Sequence, residues 1–253
     1  MKAIKATYVS LVFAFLYLPL LVLAIFSFNN ARYAMTWHGF TTHWYHVLFN
    51  DSLLLRSAGH SLLLAFLAAC IATAIASVVA TALLQYRFKG KRIIHNLIIV
   101  LIVMPDLVIG IVLLILFSSL HLPLGFTSLL LAHITICLPF AVLTIYSRAT
   151  DLDSNLFESA RDLGASDTTI YLKILLPLLK PALLSAWLLA FAISLDDIIV
   201  SFFVSGPSFS IMPLQIYSMT KVGITPEINA LCTLMLGLIF MIVGASQLVR
   251  KAK

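Results

Sequence analysis

Charge is what this sequence has least of: 10% of its 253 residues are Asp, Glu, Lys or Arg, where soluble domains carry roughly 25%. With 62% hydrophobic residues and a mean hydropathy of +1.08, a water-soluble globule is excluded. Cysteine is scarce too, and Cys70, Cys137 and Cys232 fall in three different apolar runs, so neither a disulfide framework nor a CxxC metal site is expected. GxxxxGK[ST], HExxH, GxSxG and GxGxxG are all missing. The chain therefore shows no nucleotide cradle, zinc helix or nucleophile elbow: no catalytic residue and no cofactor of its own are expected. No low-complexity tract, Gly/Ser linker or appended soluble segment interrupts it, which makes residues 1–253 a single transmembrane domain.

Apolar runs fill the space that charge leaves. Stretches of about 20 residues suit a bilayer core about 30 Å thick, and six are found: Tyr8–Phe28, Gly59–Leu84, Ile93–Phe117, Leu124–Ser147, Ala182–Val204 and Asn229–Val249. The first follows Lys2 and Lys5 but lacks a small-x-small cleavage site, so it is expected to stay as an anchor. An all-α integral membrane protein with six transmembrane helices follows. The second run places Ala65, Ala69, Thr73, Ser77 and Thr81 at every fourth position beside Ala68, Ala72, Ala76 and Ala80, a row that lets two helix backbones approach closely.

Cations set the orientation, because Lys and Arg are retained in cytoplasmic loops. With six spans, the N-terminus, residues 85–92, residues 148–181 and the C-terminus share one side. They hold Lys2, Lys5, Arg87, Lys89, Lys91, Arg92, Arg148, Arg161, Lys173, Lys180, Arg250, Lys251 and Lys253, leaving only Arg32, Arg56 and Lys221 opposite. Both termini are thus expected in the cytoplasm. The net charge of +6 reflects this asymmetry and gives no reason to invoke nucleic acid.

On the outer side, TWHGFTTHWYHVL gathers His38, His43 and His46. Only His43 and His46 stand at helical spacing and no carboxylate lies between them, so an interfacial amphipathic helix resting Trp37, Trp44 and Tyr45 at headgroup depth is preferred to a metal site.

Two polar places stand out against this background. The loop DLDSNLFESARDLGASDTTIYLKILLPLLKP reads as two short helices. Asn155 with Glu158 three residues on resembles a capping arrangement. Leu156, Ala160 and Leu163 share a face, and Gly164 suits a left-handed helix end. Ser166 is a second N-cap candidate, Asp167 suits the positive end of the next helix, and Pro177 and Pro181 limit its continuation. The alternative is an amphipathic connector lying on the membrane.

The other place is SLDDIIVSFF, with two carboxylates in an apolar run. The thirteen Leu, Ile, Phe and Val residues of 182–204 return roughly 4 to 8 kcal/mol on insertion, against about 5 to 7 kcal/mol for two central aspartates. At near break-even, such acids are expected to face a cavity and carry function. Asp197 shares a helical stripe with Ser194, Ser201 and Ser205 and is preferred as a pathway residue; Asp196 falls with Ile193, Val200 and Phe203. Asp106 follows Pro105, whose ring kinks a helix, and is the third intramembrane acid. A structural role for each, as a cap or as the partner of a nearby Ser or Tyr, is the competing reading.

Residues 158–177 resemble the EAA loop of ABC importer permease subunits: Glu158, Ser159, Ala160, Gly164, Ile174, Leu176 and Pro177 occupy the positions of that signature, and only Ser159 departs, replacing Ala. The likeness extends, through WHGFTTHWY at 37–45, MPDLV at 104–108, LAHITICLPF at 131–140, SLDDIIVSFFVSGPS at 194–208 and MPLQIYSM at 212–219, to the permeases of bacterial spermidine/putrescine importers. The resemblance implies the type I ABC importer permease fold in a bacterial inner membrane. It implies that the 148–181 loop is a coupling helix docking on a separate subunit that holds ATP and Mg. The partners it implies are a homologous second permease, two ATP-binding cassette subunits, an extracytoplasmic polyamine-binding protein and membrane lipid. A polycation would then need carboxylates and aromatic faces along its path: Asp197, Asp196 and Asp106, with Ser201 and Phe203 beside them. Another small solute, or an ion-coupled cation carrier, remains the alternative.

Overall fold

The computed structural model describes residues 2–31, 36–153, 155–223 and 225–251; Arg32 and Lys253, two of the cations used to assign sidedness, lie outside these. Among the described residues every named element is a helix. In chain order they are α1 (Lys2–Phe26), α2 (His43–Asn50), α3 (Ser52–Gln85), α4 (Lys91–Val103), α5 (Asp106–Ser119), α6 (Phe126–Ala149), α7 (Asn155–Asp162), α8 (Asp167–Thr169), a π-helical stretch Ile170–Leu175, α9 (Leu176–Leu178), α10 (Lys180–Asp196), α11 (Ile199–Val204), α12 (Met212–Val222) and α13 (Pro226–Lys251). They form two compact units, one of residues 57–214 and one of residues 1–56 with 215–253.

The larger unit owes its core to small residues. Ala65, Ala68, Ala69, Ala72, Ala76 and Ala80 of α3 are all fully buried, as the every-fourth-residue row requires. The C-terminal half of that row joins Val142 and Ile145 of α6, Phe157 and Ala160 of α7, and Leu175 and Leu179 in one apolar cluster. Cys137 is buried and donates to the Ala190 carbonyl, and Cys70 accepts from the Trp187 indole; both cysteines are free thiols.

In the smaller unit α2 forms where the aromatic run places it. Trp44 donates to the Asn29 carbonyl at 2.8 Å, and Tyr45 reaches Ser27 at 2.7 Å, so this helix is tied to the end of α1. Among the described residues no three His, Cys, Asp or Glu side chains converge as a metal site.

Two expected continuous spans prove to be broken. Ile93–Phe117 divides into α4 and α5, which meet at 114°. Pro105 has no N–H to donate and pushes Met104 into extended conformation (ψ 134°). The chain restarts at once, because the Pro105 carbonyl accepts from Val108 and Ile109. A sequence reading sees only a kink here, since the apolar pattern continues through the proline. Likewise Ala182–Val204 divides into α10 and α11, with Asp197 extended between them (ψ 121°). By length and composition three of the described helices can cross a membrane, Lys5–Phe26, Ser52–Gln85 and Phe126–Ala149, or up to five if each of two bent pairs, Lys91–Val103 with Asp106–Ser119 and Asp167–Leu178 with Lys180–Asp196, is one span.

Candidate functional site

The 148–181 loop is a two-helix knob. α7 turns Phe157 and Ala160 into the apolar cluster and leaves Glu158 and Ser159 exposed. Its start differs from the expected cap: Asn155 is the first helical residue, and Asp153 Oδ1 accepts its N–H at 2.9 Å. Glu158 belongs to the first helical turn, where a carboxylate suits the positive helix end.

Gly164 closes α7 with φ +82°, the left-handed conformation its position requires. The Ala165 N–H reaches the Ala160 carbonyl at 3.0 Å and the Gly164 N–H reaches Arg161 at 2.8 Å, the paired bonds of a Schellman turn. Leu163, just before it, is 88% exposed, a large apolar side chain at the tip of the knob with nothing of its own chain over it.

The return half begins as expected, with the Ser166 hydroxyl capping the Thr169 N–H at 3.3 Å. Arg161 pairs with Asp167 across the turn at 3.2 Å. The neighbouring Tyr86 hydroxyl, then Arg161, hold the Asp167 carboxyl below the usual range, while Asp167 in turn raises the Tyr86 phenol. Ile174 and Leu176 are half-buried and Pro177 is exposed. With no N–H at Pro177, the preceding turn opens into the π-helical stretch, and the chain then bends by 73° into α10.

The second place is a buried joint. Asp197 Oδ2 accepts from the Ser201 N–H at 2.8 Å and from its hydroxyl at 2.6 Å, and Oδ1 accepts from the Val200 N–H at 3.2 Å. The carboxylate therefore caps α11, and its side chain is only 6% exposed. Behind it stands His133 of α6, fully buried, with Nδ1 at 2.6 Å from Ser194 and Nε2 at 2.9 Å from Ser201. One arrangement of hydrogens serves every group: Ser194 donates to Nδ1, Nε2–H donates to Ser201, and Ser201 donates to Asp197.

The stripe Ser194, Asp197, Ser201 thus exists, but in this conformation it faces inward and bonds to His133 rather than opening to a surface. Phe203 lies over Gly110 of α5. Asp196 and Asp106 are exposed and stand apart from this network. His133 was not singled out by the sequence; the signal was present, an ionisable residue in the apolar run LAHITICLPF, and its partners lie 61 and 68 residues away.

With this geometry in view, comparison with known proteins gives consistent results. The family described as "Binding-protein-dependent transport system inner membrane component" matches residues 72–249. The spermidine/putrescine transport system permease protein PotC of Escherichia coli (strain K12) is 48% identical over 252 residues, covering 100% of this chain and 96% of that protein. The putrescine transport system permease protein PotI of the same organism is 39% identical, covering 89% of this chain and 83% of that one. Among solved structures, a bacterial ABC transporter involved in the import of the acidic polysaccharide alginate superposes with a TM-score of 0.72 at 16% identity, over 97% of this chain and 95% of that one. An inward-facing MetNI methionine ABC transporter gives 0.68 at 17%, over 79% and 95%. These two likenesses concern the fold.

Proposed function

We infer the function from a premise that the relatives establish: this chain belongs to the binding-protein-dependent transport system inner membrane components, and it is the permease subunit of an ATP-driven polyamine importer. It is a multi-pass membrane protein and not itself an enzyme. The observation that carries the reading is the knob at 155–178. An exposed two-helix loop with Leu163 bare at its tip and Glu158 beside it is a surface built for another subunit.

Within that reading the chain is one domain of six spans in a bacterial inner membrane, α4 with α5 serving one span and α10 with α11 another, with both termini and the knob in the cytoplasm where the lysines and arginines gather. A homologous second permease completes the translocation path, and two ATP-binding cassette subunits bind ATP and Mg. An extracytoplasmic binding protein delivers spermidine or putrescine. Glu158, Ser159, Ala160 and Gly164 form the docking half of the knob. Ile174, Leu176 and Pro177 anchor the other half, which continues into α10. Closure of the ATPase cleft then moves α10, and alternating access follows.

A polycation leaving water needs acceptors that are not already engaged. Asp196 and Asp106 offer these. Asp197 and Ser201 hold the joint that presents Asp196, and Phe203 packs the joint onto α5. Competition tests the reading: in cells lacking other polyamine importers, with all partner subunits present, labelled spermidine uptake falls when unlabelled spermidine or putrescine is added and is untouched by sulfate or ferric ion. Uptake driven by an ion gradient without the ATPase subunits would instead make the chain a carrier.

A further inference from the structure

Four cations crowd the turn between α3 and α4: Arg87, Lys89, Lys91 and Arg92. Retention on the cytoplasmic side accounts for their sign, but not for the way the fold divides them. Lys91 and Arg92, the first two residues of α4, line an open cavity of 460 Å³ together with His95 of the same helix, Tyr146 of α6, Leu83 of α3 and Phe88 of the turn, whereas Arg87 and Lys89 stand outside it. Its walls thus come from separate parts of the chain. His95 holds two of them together, its ring meeting that of Tyr146 edge to face at 6.1 Å.

Among the described residues no carboxylate answers this charge: the ion pairs there are His133 with Asp197, Arg148 with Asp151 and Arg161 with Asp167, and none involves Lys91, Arg92 or His95. Lys91 Nζ donates to the Tyr86 carbonyl at 3.3 Å, which leaves two of its hydrogens to give. The Tyr146 hydroxyl has no hydrogen-bond partner among the described residues. Two cationic heads, an imidazole and a phenol therefore converge on one cleft, a donor set suited to phosphate oxygens. Beside the cleft the surface turns apolar. No residue of α4 is buried, and Ile93, Leu97 and Val100 are each more than half exposed. A soluble phosphate would use the cations alone, whereas a phospholipid uses the cleft for its head and the bare length of α4 for its chains.

We propose that the cleft between α3, α4 and α6 binds the phosphate of an anionic phospholipid of the cytoplasmic leaflet, with Lys91 and Arg92 as its charge partners, Tyr146 as a neutral donor and the acyl chains lying along α4. Basic pockets between membrane helices on this side of a bilayer take such head groups, and each Lys or Arg near the surface adds to the attraction. The site asks nothing of the transported solute or of ATP, so it stands independently of the substrate that the importer carries.

Native mass spectrometry of the purified complete complex, titrated with dioleoylphosphatidylglycerol or with dioleoylphosphatidylcholine, tests the site, because it reads lipid only on complexes that have folded and assembled. Lys91→Gln combined with Arg92→Gln weakens binding of the first phosphatidylglycerol about thirtyfold, the sum expected for two cations near the membrane surface, and leaves phosphatidylcholine unchanged. Arg87→Gln combined with Lys89→Gln removes the same charge from the same turn, and with it the same bias on topology, yet changes binding less than about threefold. Tyr146→Phe alters no charge and weakens binding about threefold, the scale of one hydrogen bond. A large excess of inorganic phosphate leaves the lipid in place. Equal losses from the two double variants would reduce the cleft to a generally basic surface and overturn the site. Displacement of the lipid by inorganic phosphate at equal concentration would overturn it in favour of a soluble ligand. Loss of the ATPase subunits from the Lys91→Gln, Arg92→Gln complex, with phosphatidylglycerol still bound as in the wild type, would give the cleft to a protein partner instead.

Discussion

The coupling knob and the joint at Asp197 are both short polar interruptions between apolar helices, and they dispose of their polar groups in opposite ways. At the joint, every side chain from Ser194 through His133 and Ser201 to Asp197 finds its partner inside the chain, with Ser201 and His133 fully buried. At the knob, Glu158 and Ser159 are exposed and Leu163 is almost bare. Polar groups within a bilayer must be matched internally or their desolvation is uncompensated, whereas a docking surface must keep its groups free for another protein. Burial with full bonding therefore marks a hinge of the fold, and exposure beside a rigid turn marks an interface.

Glycines break this comparison most sharply. A Cβ on Gly206, just past α11, would run into the Leu124 carbonyl, and backbone cannot step aside as a side chain can. Gly206→Ala is expected to cost more than about 3 kcal/mol, seen as loss of the chain from the membrane fraction. Next comes Asp197→Ala, which strips the acceptor from two N–H groups and one hydroxyl at a nearly buried site; it is expected to cost about 2 to 3 kcal/mol, read as a lower melting temperature of the purified complex. Asp197→Asn recovers part of that loss, and if transport falls much further than stability does, the carboxylate charge itself serves the polycation.

Gly164→Ala meets open space, so only the left-handed backbone opposes it, at about 1 to 2 kcal/mol. It is expected to leave the chain folded but to lower uptake by misdirecting the return helix, measured as uptake at matched membrane levels. Leu163→Ser changes the chain's own stability least, within about 0.5 kcal/mol. Capture of the ATPase subunit in a pull-down should nevertheless weaken about tenfold, as for the loss of an interface anchor. An ATPase that binds the Leu163→Ser form unchanged would remove the knob's tip from the interface.

Local rules explain why the knob was legible in the sequence. Its features lie within 25 residues of one another: the Gly164 turn, the Ser166 cap and the prolines each act over three or four positions. Two details differ there: the cap of α7 lies at Asp153, two residues before Asn155, and the helix buries Phe157 and Ala160 while Leu156 and Leu163 of the expected shared face stay exposed. The small-residue row of α3 was legible for the same reason, being a periodicity within one helix.

The breaks were harder to read. Hydropathy continues straight through Pro105 and Asp197, so a window that averages about 20 residues reports one span where the chain makes two helices. The helical stripe drawn through Ser194, Asp197 and Ser201 assumed an unbroken helix. Those residues do group together, but around a histidine from α6, and no pattern within 182–204 could place it there. Long-range partners, not local propensity, decide what a buried carboxylate does. The same limit applies to Tyr171, whose bond to Ser77 joins residues 94 positions apart.

The most direct measurement is labelled spermidine uptake into proteoliposomes holding this chain with its second permease and ATPase subunits, the binding protein being supplied outside the vesicles and ATP and Mg on the ATPase side. Uptake that requires ATP, requires the binding protein and is competed by putrescine is the predicted result. Uptake that persists without ATP, or ATP hydrolysis by the assembled complex with no spermidine moved, would contradict the account.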